Sequence, residues 1–134
     1  MVWSGTVSIE FLQMNFVRDN AGQALLIRSY ESGRVGIKDD IFDCPLIVTP
    51  GQAHSWDAVQ VETLNLAQFE IALACKPEIL LLGTGETRIQ PPAPLIADLA
   101  NNGIGFEIMD NGAACRTYNV LVCEGRAAAV ALMR

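Results

Sequence analysis

Glu78-Ile79-Leu80-Leu81-Leu82-Gly83-Thr84-Gly85 is the stretch that decides the fold. Its unbroken apolar run, without polar alternation, reads as a strand covered on both faces, the habit of a parallel sheet flanked by helices. The Gly-Thr-Gly sequence then breaks the strand. Upstream, Asn65 followed by Gln68 reads as a helix N-cap with its capping-box partner. Leu66, Phe69, Ile71 and Leu73 supply that helix's apolar residues, and Pro77 ends it. Downstream, Pro92 suits a first helical turn, with a buried stripe expected at Leu95, Ile96, Leu99 and Ala100 and with Gly103 at C′. Ile104 to Met109 is the next strand. Asp110 and Asn111 each suit the cap of a helix from about Gly112 to Glu124. Ala114, Thr117, Tyr118, Leu121 and Val122 share one face of it, and Gly125 closes it. Ala127 to Met133 reads as a strand or a helix; the short Gly125-Arg126 connection favours a closing strand.

Farther from the deciding stretch, Leu46-Ile47-Val48-Thr49 is a short buried strand closed by Pro50-Gly51. Ala24 to Tyr30, a turn at Glu31-Ser32-Gly33 and a return over Arg34 to Ile37 form a hairpin. Thr6 to Leu12 alternates weakly and suits an edge strand, so residues 1–20 read as an extension or an edge strand. Strands separated by helices imply a layered α/β domain. The expectation is a mixed, mostly parallel central sheet with helices packed on it and an added N-terminal antiparallel hairpin.

The chain has 134 residues, 51% of them apolar and 18% charged, with a net charge of −6. That length suits a single domain over 1–134 with one core. The acidic balance argues against nucleic acid as a partner, because phosphate binding needs a basic footprint. No apolar run has the roughly 18 residues needed to span a bilayer. Met1 to Phe16 has no basic leader and contains Glu10, so the chain reads as cytoplasmic. Cys44, Cys75, Cys115 and Cys123 form no CxxC pair and stand beside a single histidine, which argues against zinc. Cys115 and Cys123 share a predicted helix, about 12 Å apart at helical rise, too far for a disulfide. Buried, reduced, structural cysteines are the expectation. No cofactor fingerprint is present.

Three further motifs accompany the deciding stretch. They are Gly103-Ile104-Gly105-Phe106-Glu107-Ile108-Met109-Asp110, Ala113-Ala114-Cys115-Arg116-Thr117-Tyr118-Asn119-Val120-Leu121 and Glu124-Gly125-Arg126. In this order and spacing the four closely resemble the family of complex I assembly factor 3 and the adipogenesis-associated Mth-type domain. The resemblance is dense from about residue 76 to 133 and looser from 24 to 75. It implies a compact α/β sandwich around a mixed sheet, and action through protein partners. It also implies that the Asn111 position is more often threonine, with a capping role.

In open α/β sheets, ligands gather at the carboxyl ends of parallel strands. Three loops are expected there: one after Thr49 with His54 and Trp56, one after Leu82 and one after Met109. The candidate binding residues are Gly83, Thr84, Gly85, Arg88, Asp110, Asn111, Arg116, Tyr118 and Asn119. Gly83-Thr84-Gly85 either brings backbone amides to an anion or makes a tight turn. It is neither a Walker loop nor a dinucleotide fingerprint. Arg88 and Arg116 either grip a carboxylate or phosphate, or lie on a solvated face or pair with Glu86 or Asp110. Asp110 is a base or a helix cap, and Asn119 either contacts a ligand or satisfies backbone groups. His54 suits acid–base work or a loop without a task, and Cys115 a lowered thiol pKa or packing. No complete catalytic set is visible. The leading expectation is a non-enzymatic protein-interaction or assembly module, monomeric or homodimeric; the homodimer alternative would pair an exposed final strand between subunits. The alternative is a small-molecule or anion binder or enzyme using the crevice.

Overall fold

The structure, a computed structural model, describes residues 23–134. The predicted strand over Thr6 to Leu12 lies outside the described residues.

The predicted hairpin forms as β1 (Ser29–Glu31) and β2 (Arg34–Ile37), extended by β3 (Asp40–Asp43) into an antiparallel sheet of order β1-β2-β3. Ser32 and Gly33 turn the first hairpin with φ of 48° and 80°, the twist that matches paired strands. Ala24 to Arg28, expected within the first strand of the hairpin, have no regular secondary structure and form a strap that leads into β1.

The main sheet follows. β4 (Leu46–Val48) and β5 (Ala53–Ser55) form a hairpin, two short 3-10 turns (Val61–Thr63 and Leu66–Phe69) come next, and the second runs into α1 (Glu70–Ala74). Asn65 N–H donates to Gln68 Oε1 at 3.0 Å, as the capping-box spacing predicts. Then come β6 (Ile79–Gly83), α2 (Ala93–Asn101), β7 (Gly105–Met109), α3 (Asn111–Cys123) and β8 (Ala128–Leu132). The strand order is β5-β4-β8-β6-β7. β6 pairs in parallel with β7 and β8, whereas β4 runs antiparallel to β8 and β5.

The ambiguous final segment is thus a strand, and a central one. The expected exposed pairing edge is corrected: β8 is flanked on both sides, and Ala128 to Leu132 are fully buried. Its small residues allow this, because alanines let layers approach closely above and below. Alternation along β6 and β8 divides the interior. Leu81, Ala128, Val130 and Leu132 face α3 and the small sheet, with Ala114, Cys115, Tyr118 and Val35. Leu80, Leu82, Ala129 and Ala131 face α1 and α2, with Phe69, Ala72, Leu95 and Leu99.

In α2 the buried stripe is Leu95 and Leu99, with Ile96 half-buried; Ala100, expected inside, is exposed. The helix closes as predicted. Gly103 N–H donates to Ala100 C=O at 3.0 Å and Ile104 N–H to Leu99 C=O at 3.1 Å, a Schellman pair. Among the cysteines Cys44 and Cys115 are buried, whereas Cys75 and Cys123 are exposed, contrary to expectation. Both stand at helix C-terminal ends, where one face turns to solvent. Among the described residues no helix is long and apolar enough to cross a membrane.

Candidate functional site

The carboxyl ends of β6, β7 and β8 form one rim. Asp110 sits at the N-cap of α3, and its Oδ1 accepts the Ala113 N–H at 2.8 Å. The capping reading of Asp110 is the one realised. Asn111, the other cap candidate, is instead the first helical residue and is 0% exposed. Its Oδ1 accepts the Gly85 N–H at 3.0 Å, and its Nδ2 donates to Met133 C=O at 2.7 Å and to Tyr30 Oη at 3.1 Å. One side chain therefore joins the β6 loop, the end of β8 and the small sheet.

Glycine makes room for this arrangement. A Cβ on Gly83 would lie 3.1 Å from Asn111 Cα and 2.8 Å from Leu132 Cδ2. Gly85 has φ of +101°, and a Cβ there would lie 3.1 Å from Arg134 O. Its carbonyl also accepts the Asn111 N–H at 2.8 Å. Thr84 is buried; its Oγ1 donates to Thr87 C=O at 2.6 Å and accepts the Ile89 N–H at 2.9 Å, and its own N–H donates to Met109 C=O at 2.9 Å. The amides of Thr84 and Gly85 are both spent on internal partners, which leaves the turn reading rather than the anion cradle.

Tyr30 completes the rim. Its Oη donates to Glu86 Oε2 at 2.6 Å and accepts the Gly33 N–H at 3.2 Å as well as the Asn111 amide. Burial and the bond to Glu86 raise the phenol above its ordinary pKa. Tyr30 was missing from the candidate residues. It stands 81 positions from Asn111, in a hairpin with no local mark of its role.

Tyr118 and Asn119 lie away from this rim and hold the strap. Tyr118 is 0% exposed, and its Oη donates to Leu25 C=O at 2.9 Å. Asn119 Oδ1 accepts the Ile27 N–H at 2.9 Å while its Nδ2 donates to Ile27 C=O at 2.7 Å. The amide thus imitates a neighbouring β-strand. This is backbone satisfaction, the structural alternative for Asn119.

The arginines are exposed. Arg88 Nε donates to Ile108 C=O at 3.3 Å. Arg116 lies one turn after Gly112, on the outer side of α3. The ion pairs among the described residues are Arg28–Asp39, Arg34–Asp43 and Arg126–Glu78, so Arg88 and Arg116 take the solvated-face alternative and not the pairing with Glu86 or Asp110. Glu86 is taken by Tyr30 instead.

The loop after Thr49 is corrected too. β4 runs against β8, with Val48 opposite Val130, so that loop leaves at the opposite end of the sheet. Trp56 regains the rim only because β5 returns, and its Nε1 donates to Leu132 C=O at 3.0 Å. His54 is exposed on β5 with Nδ1 2.6 Å from Ser55 C=O. Burial raises the Cys115 thiol to about 12, outweighing the Arg116 charge, so the lowered pKa is not realised. Burial likewise raises Cys44 to about 12.

A family model described as "Protein of unknown function (DUF498/DUF598)" matches residues 27–133. A Francisella tularensis protein named "13 kDa major membrane protein" is 32% identical over 104 residues, covering 76% of this chain and 85% of that protein. A Xenopus tropicalis protein named "NADH dehydrogenase [ubiquinone] 1 alpha subcomplex assembly factor 3" is 30% identical over 118 residues, covering 87% of this chain and 64% of that protein. The chain therefore spans less than two thirds of the length of that assembly factor. A crystal structure from Bordetella parapertussis superposes with a TM-score of 0.77 at 30% identity, over 83% of this chain and 96% of the other. A solution structure from Bordetella pertussis, described as a Mth938-like domain, shares the fold with a TM-score of 0.70 at 23% identity, over 93% and 92% of the two chains.

Proposed function

We propose, since the chain belongs to the family of proteins of unknown function DUF498/DUF598, that it is a non-enzymatic, assembly-factor-like protein-interaction module. It acts as one domain over residues 1–134, works in the cytoplasm and holds a protein partner while a larger complex is built. The observation that carries this reading is the similarity to assembly factor 3 across 87% of the chain. The rim geometry supports it. The polar groups of the rim are taken up internally: Asn111 bonds Gly85 and Tyr30, Thr84 bonds Thr87 and Asp110 caps Ala113, the arrangement of a structural joint. Arg88 and Arg116 are exposed and, among the described residues, form no ion pair, which leaves both guanidinium groups open to a partner's hydrogen-bond acceptors.

The test is capture of the tagged chain from its own cells after chemical crosslinking, beside the Arg88→Ala/Arg116→Ala double variant. The expected result is one defined protein held in near-stoichiometric amount by the native chain and depleted with the variant. Recovery of the native chain alone, with its fold intact, would overturn the reading.

A further inference from the structure

The main sheet ends at β7, which pairs only with β6 among the described residues. Gly105 N–H donates to Glu78 C=O at 2.9 Å, and Thr84 N–H donates to Met109 C=O at 2.9 Å. In a parallel ladder, alternate residues of one strand direct both main-chain groups at the neighbour. These two bonds fix the alternation. Gly105, Glu107 and Met109 bond inward, while Phe106 and Ile108 turn their N–H and C=O groups away from the sheet. Arg88 covers part of this edge through its 3.3 Å bond to Ile108 C=O, a long contact made by an exposed side chain. Glu107 is exposed, on the opposite face from Phe106, whose ring packs edge-on against Phe69 at 6.4 Å. The other edge, β5, is only 3 residues long, and its outer end carries His54 Nδ1 2.6 Å from Ser55 C=O.

We propose that the open edge of β7 is a strand-docking surface, and that its occupant is an extended segment of another protein bearing lysine or arginine opposite Glu107. The proposal rests on the interaction reading above and names its surface and the chemistry of its partner. Added strands take their affinity from main-chain bonds and their choice of partner from side chains. The incoming strand bonds Phe106 and Ile108 and displaces Arg88 from the Ile108 carbonyl. Charge decides against a second copy of this chain. The antiparallel self-pairing that uses both Phe106 and Ile108 of each copy is centred on Glu107. It would set two glutamates directly opposite, at the close, non-hydrogen-bonded spacing of about 4.5 Å between Cα atoms. A basic side chain at that place turns the same proximity into attraction.

The test is an amide-shift titration of the full chain with two capped peptides, Thr-Val-Arg-Val-Thr and Thr-Val-Glu-Val-Thr. The expected shifts centre on the Phe106 and Ile108 amides and the Arg88 Nε–H, with the arginine peptide binding about tenfold more tightly. Glu107→Lys should invert that preference. Ile108→Pro should abolish binding while preserving the fold, because the N–H it removes faces outward. Equal binding of the two peptides, shifts confined to another surface, or self-association that Ile108→Pro abolishes would each overturn the proposal. A cellular partner that Ile108→Pro still retains would also refute this surface while leaving the interaction reading standing.

Discussion

Replacing Asn111 by alanine tests whether the rim is a joint or a ligand site. The native side chain accepts from Gly85 N–H and donates to Met133 C=O, both in buried bonds, and donates to Tyr30 Oη. Asn111→Ala removes all three bonds at a residue that is 0% exposed. The Gly85 amide and the Met133 carbonyl are then left without these partners. At about 1–3 kcal/mol for each buried unsatisfied group, the loss is about 2–6 kcal/mol. Tyr30 keeps Glu86 and Gly33 as partners, so its share is smaller. A domain of this size has roughly 5–15 kcal/mol of stability in all, so the variant should fold marginally. In urea the midpoint should fall by roughly 1–3 M, for a slope of about 2 kcal/mol/M that itself stays constant. A shift worth less than about 0.5 kcal/mol, within the range of ordinary surface substitutions, would refute the joint and return Asn111 to the candidate ligand contacts.

Further outcomes follow from the same geometry. Asn119→Ala should destabilise by about 1–3 kcal/mol through loss of its two bonds to Ile27. It should also speed hydrogen exchange at the Ile27 amide far more than in β8; equal acceleration in both would contradict a local clasp. Gly85→Ala should cost stability, because φ of +101° is unfavourable with a side chain and Arg134 O stands 3.1 Å from the new Cβ; a thermal melt that matches the native chain would exclude this. In the native state Cys75 and Cys123 should react with a thiol reagent well before Cys44 and Cys115, as counted by mass. Cys44 and Cys115 have folded pKa values raised from 9.0 to about 12. Their contribution to stability is therefore complete below pH 9 and declines as pH rises toward 12. A stability that increases across that window would have the wrong sign.

The deciding stretch and its neighbours determined the α/β succession by themselves. Ile79 to Leu82 is apolar at every position, and Pro77, Pro92 and Gly103 punctuate the helices through backbone constraints that are local. The capping roles of Asp110 and of Asn65 with Gln68 were legible for the same reason: each acts within one helical turn. What lies across the fold was not. The direction of β4 depends on its pairing with β8, so the His54 loop could not be placed from the strand itself. The final strand's burial on both edges depends on which strands flank it, and its apolar residues fit a central place as well as an exposed one. The partners of Asn111, Tyr118 and Asn119 lie up to 93 residues away, where no spacing rule reaches. Sequence fixes hydrogen-bond donors and acceptors; only the packing of α3 between the strap and the main sheet assigned them to one another, because burial forces every polar group there to find a partner.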